Sequence, residues 1–249
     1  GYYLFVPNTL PETPVPLVIA AHGGGMADSA FPQQDRFEAL AEAEGFILVF
    51  PRGEEGRSGA EGEWHLNTDA QTREDMDFME ALMDELASQY PIDTTRVYGT
   101  GYSLGSMLNY EFACHLSSRF AAVASYAGTM PVSPKTCDQV RPVPIMHIHG
   151  REDGTIPYND TWDWKNWDTV GSMRAIPSLV QFWLEKYNCQ EHTDEGFSDS
   201  THFVYLACDD NVRVEHHRLE GVGHAWPDTV NGVSTHQVIW SFLSQFSSP

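Results

Sequence analysis

Residues 96 to 105, Arg96-Val97-Tyr98-Gly99-Thr100-Gly101-Tyr102-Ser103-Leu104-Gly105, constrain this chain more than any other stretch. A short β-favouring run breaks into a turn that carries one serine between glycines, and Ser106 to Leu116 then read as a helix. Gly101-Tyr102-Ser103-Leu104-Gly105 matches G-x-S-x-G, a strand-turn-helix junction so tight that a Cβ at its flanks would meet the neighbouring strand or helix. A junction of this kind needs a sheet beneath it and a helix leaving it, and it lifts the serine hydroxyl to the top of the sheet. Ser103 is the candidate nucleophile.

The rest of the chain supplies such a sheet. Tyr2 to Val6 reads as an opening strand, Leu17 to Ala21 and Phe46 to Phe50 as short apolar strands buried on both faces, and Phe120 to Tyr126 and Val143 to His149 as two more. Phe203 to Ala207 and Val212 to Leu219 read as later strands. Between them lie helical patterns at Phe37 to Glu44, Glu74 to Tyr90, Ile176 to Tyr187 and Thr235 to Phe246. Met76, Met79, Leu82, Met83 and Leu86 fall at helical spacing and predict a core face. The glycine and glutamate loop Gly53 to Gly62 is expected to be exposed. Alternation of this kind predicts an α/β fold, a mostly parallel central sheet with helices on both faces. No linker interrupts the chain, so residues 1–249 are expected to form a single domain.

A serine hydroxyl needs an imidazole to accept its proton and a carboxylate to orient that imidazole, and in parallel sheets all three must sit beyond the carboxyl ends of strands. Asp153 follows one predicted strand in His149-Gly150-Arg151-Glu152-Asp153-Gly154, and His224 follows another in Gly221-Val222-Gly223-His224-Ala225-Trp226-Pro227. Glu152, Asp160, Asp163 and Asp168 are the competing carboxylates, but only Asp153 and its neighbour Glu152 lie just past a strand end. His216 and His217 lie inside a predicted strand, His236 in a helix, and His192 and His202 ahead of a strand, which leaves His224 as the candidate base. The chain order Ser103, Asp153, His224 is that of the α/β-hydrolases. In that fold the oxyanion is held by the N–H after the nucleophile, here Leu104, and by one from the loop after an early strand. His22-Gly23-Gly24-Gly25 is that loop, with Gly24 or Gly25 as donor.

Other chemistries fit less well. Thirty-five acidic against fourteen basic residues give a net charge of −21, which repels nucleic acid and anionic lipid and predicts a solvated acidic surface. No apolar run approaches the roughly 18 residues of a membrane span. Gly99, Gly101 and Gly105 lack the spacing of a dinucleotide loop and the acidic residue about 20 positions beyond it. His147 and His149 form an H-x-H pair with no further ligand spacing, so they are read as structural, with no metal or organic cofactor expected. Cys114, Cys137, Cys189 and Cys208 form no C-x-x-C pair; they are either free buried thiols or disulfides, and pairing of sequence neighbours would close loops of about 20 residues. Asn159-Asp160-Thr161 fits a glycosylation sequon. The chain starts at Gly1 rather than Met, which allows for a leader removed earlier. Aromatic residues crowd the expected site: Trp64, Tyr158, Trp162, Trp164, Trp167 and Trp226. Trp226, Trp64 and Tyr158 are the candidate substrate-binding faces, suited to an aromatic acyl group or a sugar ring.

Ala21 to Gly25, Arg96 to Gly105, FAAVASYAGT at Phe120 to Thr129, VPIMHIHGREDGTIPY at Val143 to Tyr158 and GVGHAWP at Gly221 to Pro227 together resemble the secreted esterases of the polyhydroxybutyrate depolymerase, feruloyl and acetylxylan esterase group, the first carbohydrate-esterase family. The resemblance implies an α/β-hydrolase fold, a triad of Ser103, Asp153 and His224, secretion, and disulfides near the four cysteines. It departs from the commoner pattern at Ser106, where a second glycine is usual, and in the glycines after His22. The expected activity is hydrolysis of carboxylic esters, foremost feruloyl or acetyl esters of plant-wall polysaccharide. Polyester oligomers are the alternative substrate and oligopeptides a third, and a catalytically silent binding module is the alternative of another class. The sequence leaves the acyl group and the oligomeric state open.

Overall fold

Val15–Ala21 and Ile47–Pro51 are buried at every position, the state that a continuous apolar run demands and that only a strand covered on both faces provides. The computed structural model describes residues 1–26, 31–54, 62–163 and 170–249. Its elements in chain order are β1 (Tyr2–Phe5), β2 (Val15–Ala21), α1 (Gln34–Glu44), β3 (Ile47–Pro51), α2 (Glu74–Gln89), β4 (Ile92–Tyr102), α3 (Leu104–His115), β5 (Ala122–Tyr126) and β6 (Ile145–Gly150). There follow β7 (Trp162–Asp163), β8 (Ser172–Met173), α4 (Ile176–Lys186), β9 (Glu191–Gly196), β10 (Ser200–Leu206), β11 (Val214–Leu219), β12 (Thr229–Val230), β13 (Val233–Ser234) and α5 (Thr235–Leu243).

Nine strands make one sheet in the order β1-β3-β2-β4-β5-β6-β11-β10-β9. The six from β3 to β11 are parallel, with β1 added antiparallel at one edge and β10 and β9 at the other. The chain winds outward from β2 to β3 and then returns past β2 to β4, so the sheet reverses direction between β2 and β4. Such a reversal leaves a crevice at the carboxyl ends of the two strands, because their connections leave to opposite sides. There Ala21 lies in register with Gly101, and the His22 loop meets the serine turn.

Two apolar layers seal the sheet. On one face α2, α3 and α4 contribute Met76, Met79, Leu82, Met83, Leu86, Leu108, Phe112 and Trp183. On the other, α1 and α5 contribute Phe37, Ala41, Ile239 and Trp240. The methionine stripe of α2 is a core face, as its spacing predicts. Cys114 is bonded to Cys137 and Cys189 to Cys208, which leaves no free thiol. No helix among the described residues is long and apolar enough to cross a membrane.

Three expectations change. Glu191–Gly196 is a strand that the sequence does not announce: all six residues are exposed, so no alternation marks them, and only pairing with β10 holds the segment extended. His192 and His202 therefore lie within β9 and β10, not ahead of a strand. Of the Gly53 to Gly62 loop, residues 55–61 lie outside the described residues and Glu54 is exposed, but the two end glycines are buried, because backbone packs against them where a Cβ would stand: Glu63 at Gly53 and Met26 at Gly62.

Candidate active site

Gly101 and Gly105 bracket the turn because neighbouring backbone occupies the space of their missing side chains. A Cβ on Gly101 would fall on the carbonyl of Gly105, and one on Gly105 on the carbonyl of Ala21. Between them Ser103 adopts φ 55 and ψ −117, a conformation that costs a residue with a side chain on the order of 1–3 kcal/mol. Packing holds it there. The Ser103 N–H donates to the Tyr126 carbonyl at 2.9 Å, and the Asn109 side-chain amide donates to the Gly105 carbonyl at 2.8 Å. Ser106 fits because Gly128 leaves room for its hydroxyl.

β6 and β11 are parallel neighbours in the register Leu219 to Gly150, so the loops that follow them leave side by side. The N–H groups of Arg151 and Glu152 donate to the carbonyls of Leu219 and Val222 at 2.8 and 3.1 Å and tie the loops together. The hydroxyl of Tyr102 donates to the His224 carbonyl at 2.9 Å, and that of Tyr126 to the Ala225 carbonyl at 2.5 Å. Thus the strand of the serine and its neighbour hold the histidine loop from below.

The outcome is a continuous relay. The Asp153 side chain is sealed from solvent, and its carboxylate can only accept, so His224 Nδ1–H donates to Oδ2 at 2.7 Å. The neutral ring then presents an unprotonated Nε2 to the Ser103 hydroxyl at 2.9 Å. The other Asp153 oxygen, Oδ1, accepts the N–H groups of Thr155 and Ile156, each at 2.8 Å. Burial alone would raise the Asp153 pKa, but hydrogen bonds from His149, His224 and the Ile156 N–H outweigh it and hold the carboxyl well below the ordinary carboxylate range. Among the competing carboxylates, Glu152 and Asp160 are exposed, Asp163 accepts the Ser172 hydroxyl at 2.5 Å, and Asp168 lies outside the described residues.

Across the crevice, His22 is fully buried. The Gly53 N–H donates to its Nε2 at 3.0 Å, so the ring proton is on Nδ1 and donates to the Gly23 carbonyl at 2.8 Å. The Met26 N–H points at that carbonyl too, at 3.3 Å. In a trans peptide the next N–H points the opposite way, so Gly24 N–H is turned from His22. Gly24 stands over Leu104, whose side chain would lie 3.3 Å from a Cβ there, while Gly25 has open space and φ 70. Leu104 opens α3, and the N–H groups of a first helical turn have no intrahelical acceptor.

The aromatic expectations are corrected in part. Trp64 is 1% exposed and donates its Nε1–H to the His22 carbonyl at 3.0 Å, so it clamps the glycine loop rather than offering a face. Tyr158 is 8% exposed and its hydroxyl donates to His216 Nε2 at 2.8 Å, which turns it into the protein. Trp226 is half-buried, wedged among Phe31, Tyr126 and His236, where it supports the His224 loop. Trp164 and Trp167 lie outside the described residues. The sequence does not single out Asn109 or the ring of His22, since an amide or imidazole carries no signal of its backbone partner: Asn109 bonds Gly105 four residues back, and His22 bonds Gly23 beside it and Gly53 across the loop.

His202, Glu215 and His217 form the one set among the described residues whose ligand atoms lie close enough together to be tested as a cation site. Its geometry is that of an ion-paired patch on the antiparallel end of the sheet. The two rings stack 3.9 Å apart at 10°, so their in-plane lone pairs run parallel instead of converging. Glu215 is already engaged by Arg213 Nε at 2.6 Å and His202 Nε2 at 2.7 Å.

Residues 1–169 match the family model described as esterase, PHB depolymerase. The chain is similar over 98% of its length, at 27% identity, to 33% of a bifunctional acetylxylan esterase/xylanase of Neocallimastix patriciarum. It is similar over 94% of its length, at 24% identity, to 42% of feruloyl esterase B of Piromyces equi. Over 89% of its length, at 26% identity, it is similar to 57% of a poly(3-hydroxyalkanoate) depolymerase C of Paucimonas lemoignei. It thus spans from a third to just over half of these curated relatives. The fold is that of the acetyl xylan esterase from Aspergillus awamori, with a TM-score of 0.70 at 17% identity over 98% of this chain and 93% of that one.

Proposed function

The chain belongs to the esterase family of the PHB depolymerases, and from that premise we propose that it hydrolyses carboxylic esters through an acyl-serine intermediate on Ser103. The observation that carries this reading is the unbroken relay from the Ser103 hydroxyl through His224 to Asp153. As Ser103 Oγ attacks the acyl carbonyl, His224 Nε2 takes its proton, and Asp153 stabilises the imidazolium. The carbonyl oxygen becomes an oxyanion that accepts from the Leu104 and Gly24 N–H groups. Gly24 is preferred to Gly25 because the His22 ring fixes the peptide before it. The tetrahedral adduct collapses, the ester C–O bond breaks, and His224 returns the proton to the departing alcohol. A water then repeats the sequence on the acyl-serine, with His224 as base and then acid, and releases the carboxylic acid.

The substrates that suit this reading best are acetyl or feruloyl esters of plant-wall polysaccharide, the chemistry named for two of the relatives. Hydroxyalkanoate oligomers are the second reading, favoured by the depolymerase similarity over 89% of the chain. Two disulfides support secretion into an oxidising compartment. Turnover of acetylated xylan, methyl ferulate and hydroxybutyrate oligomers ranks these classes. Ser103→Ala is expected to abolish p-nitrophenyl acetate hydrolysis, and a fluorophosphonate is expected to label the wild-type protein at Ser103 and not the variant. An unlabelled wild type that turns over no ester would return the chain to the class of silent binding modules.

A further inference from the structure

Asp153 has a second imidazole partner. His147 and His149 point to the same face of β6, two residues apart, and both are buried along with Tyr110 of α3. The Ile156 carbonyl and Asp153 Oδ2 stand 3.0 and 3.3 Å from His149 Nε2, and both are acceptors only, so that nitrogen carries a proton. In the neutral ring Nδ1 must then accept, and it does so from His147 Nε2–H at 3.1 Å. His147 Nδ1 in turn accepts the Tyr110 hydroxyl at 2.6 Å. Every proton in the chain is assigned; the last, on His149 Nε2, is donated to the Ile156 carbonyl with Asp153 Oδ2 beside it. Burial, with His149 and His216 nearby, keeps the His147 pKa well below its usual value, in keeping with a neutral wire.

We propose that His149 is a positioning residue of the candidate active site: its Nε2–H, held on the Ile156 carbonyl, lies against the Asp153 Oδ2 that also holds His224 and limits how strongly that carboxylate stabilises the His224 imidazolium. Tyr110 and His147 set the tautomer of His149, and thereby couple α3, the helix that begins at Ser103, to the loop that carries the acid. The inference rests on the proposed esterase mechanism and deepens it.

The sign follows from the dipole. An N–H beside Oδ2 brings positive potential to the oxygen that also holds His224 Nδ1, so its loss favours the imidazolium and moves the acid limb of kcat/KM to higher pH. The other groups facing this cluster are Tyr102 beside His224, Tyr158 and His216 behind β6, and the charges of Arg151, Arg218 and Glu220 farther out.

Two isosteres separate positioning from packing. In His149→Gln the amide N–H takes the place of Nε2–H, whereas in His149→Asn the shorter side chain reaches only the Nδ1 position, where its Oδ1 accepts from His147, and leaves Oδ2 with the His224 N–H and no second one beside it. His149→Asn is expected to shift the acid limb of kcat/KM upward by roughly half a pH unit or more, with KM within twofold. His149→Gln is expected to keep the wild-type limb. Coincident limbs in the two variants would overturn the inference, as would a loss in His149→Asn that tracks the fall in melting temperature and spares the limb. Fluorophosphonate labelling of the wild type is read in parallel: a wild type that does not label defeats the esterase reading itself, whereas labelling with coincident limbs defeats only the role of His149.

Discussion

Ser103 holds its positive-φ conformation because its surroundings leave no other place for it, and the glycines beside it carry that constraint. Gly105→Ala would drive a methyl group into the carbonyls of Ala21 and His22, where no side chain can yield. It is expected to cost about 3 kcal/mol or more, seen as a large drop in melting temperature or loss of soluble protein. Gly154→Ala, with nothing within 4 Å of the new methyl, is the matched control and is expected to change stability by less than about 0.5 kcal/mol. Equal effects would show that the glycines are dispensable at the turn. At this scale the sequence was most legible where geometry is local. The flanking glycines of Ser103 and the strand-end positions of Asp153 and His224 follow from a few residues each, and the fold brings the three side chains into one hydrogen-bonded line. His149 was legible as a residue and not as a partner. Its H-x-H pattern states that two rings share a face, but not that Asp153 and Tyr110 stand at either end. Trp64 and Tyr158 misled for the converse reason: loop position suggested exposure, while hydrogen bonds to distant residues turn both rings inward.

The elements were legible wherever burial imposes a period. The continuous apolar runs of β2 and β3 and the methionine spacing of α2 are imprints of the core, and the structure reproduces them to within a few residues. β9 has no such imprint, since an exposed edge strand is defined by backbone pairing alone. The disulfides act at this level. Cys114 ends the serine helix and Cys137 lies in the segment before β6, 23 residues on. Closing a loop of that length limits the unfolded chain by roughly 3 kcal/mol. The double variant Cys114→Ala/Cys137→Ala is expected to lose stability of that order in urea unfolding and to keep kcat within twofold, because the bond lies at the far end of α3 from Ser103. A large fall in kcat at unchanged stability would mean that the bond positions the nucleophile.

For the molecule as a whole, the buried histidines set the response to acid. Burial, together with nearby charged groups, depresses His216 and His217 to about 3 and His236 to about 4, and holds His147 well below its usual range. Unfolded histidine titrates at about 6.5, so below that pH the unfolded chain binds more protons than the folded one and stability falls as the pH falls. Each such group contributes a slope of about 1.4 kcal/mol per pH unit until its folded pKa is reached. The net charge of −21 acts in the opposite direction, because protonation relieves repulsion. That relief is the weaker effect: surface charges are screened over about 8 Å at physiological salt, whereas the four imidazoles are sealed within the fold. The melting temperature is therefore expected to be level between pH 8 and 6.5 and to fall steeply below about pH 6; a level profile down to pH 4 would mean that these rings titrate freely.

β11 enters the sheet between β6, which precedes it by some sixty residues, and β10, its hairpin neighbour. His224, the proposed base on the loop beyond it, therefore reaches Ser103 only when the last parallel strand has closed the gap. A chain with its helices formed and its elbow strained, but with that strand undocked, holds a nucleophile with nothing to deprotonate it. On the proposed mechanism ester turnover is thus a gauge of finished assembly, and during refolding its recovery is expected to trail the return of helical signal.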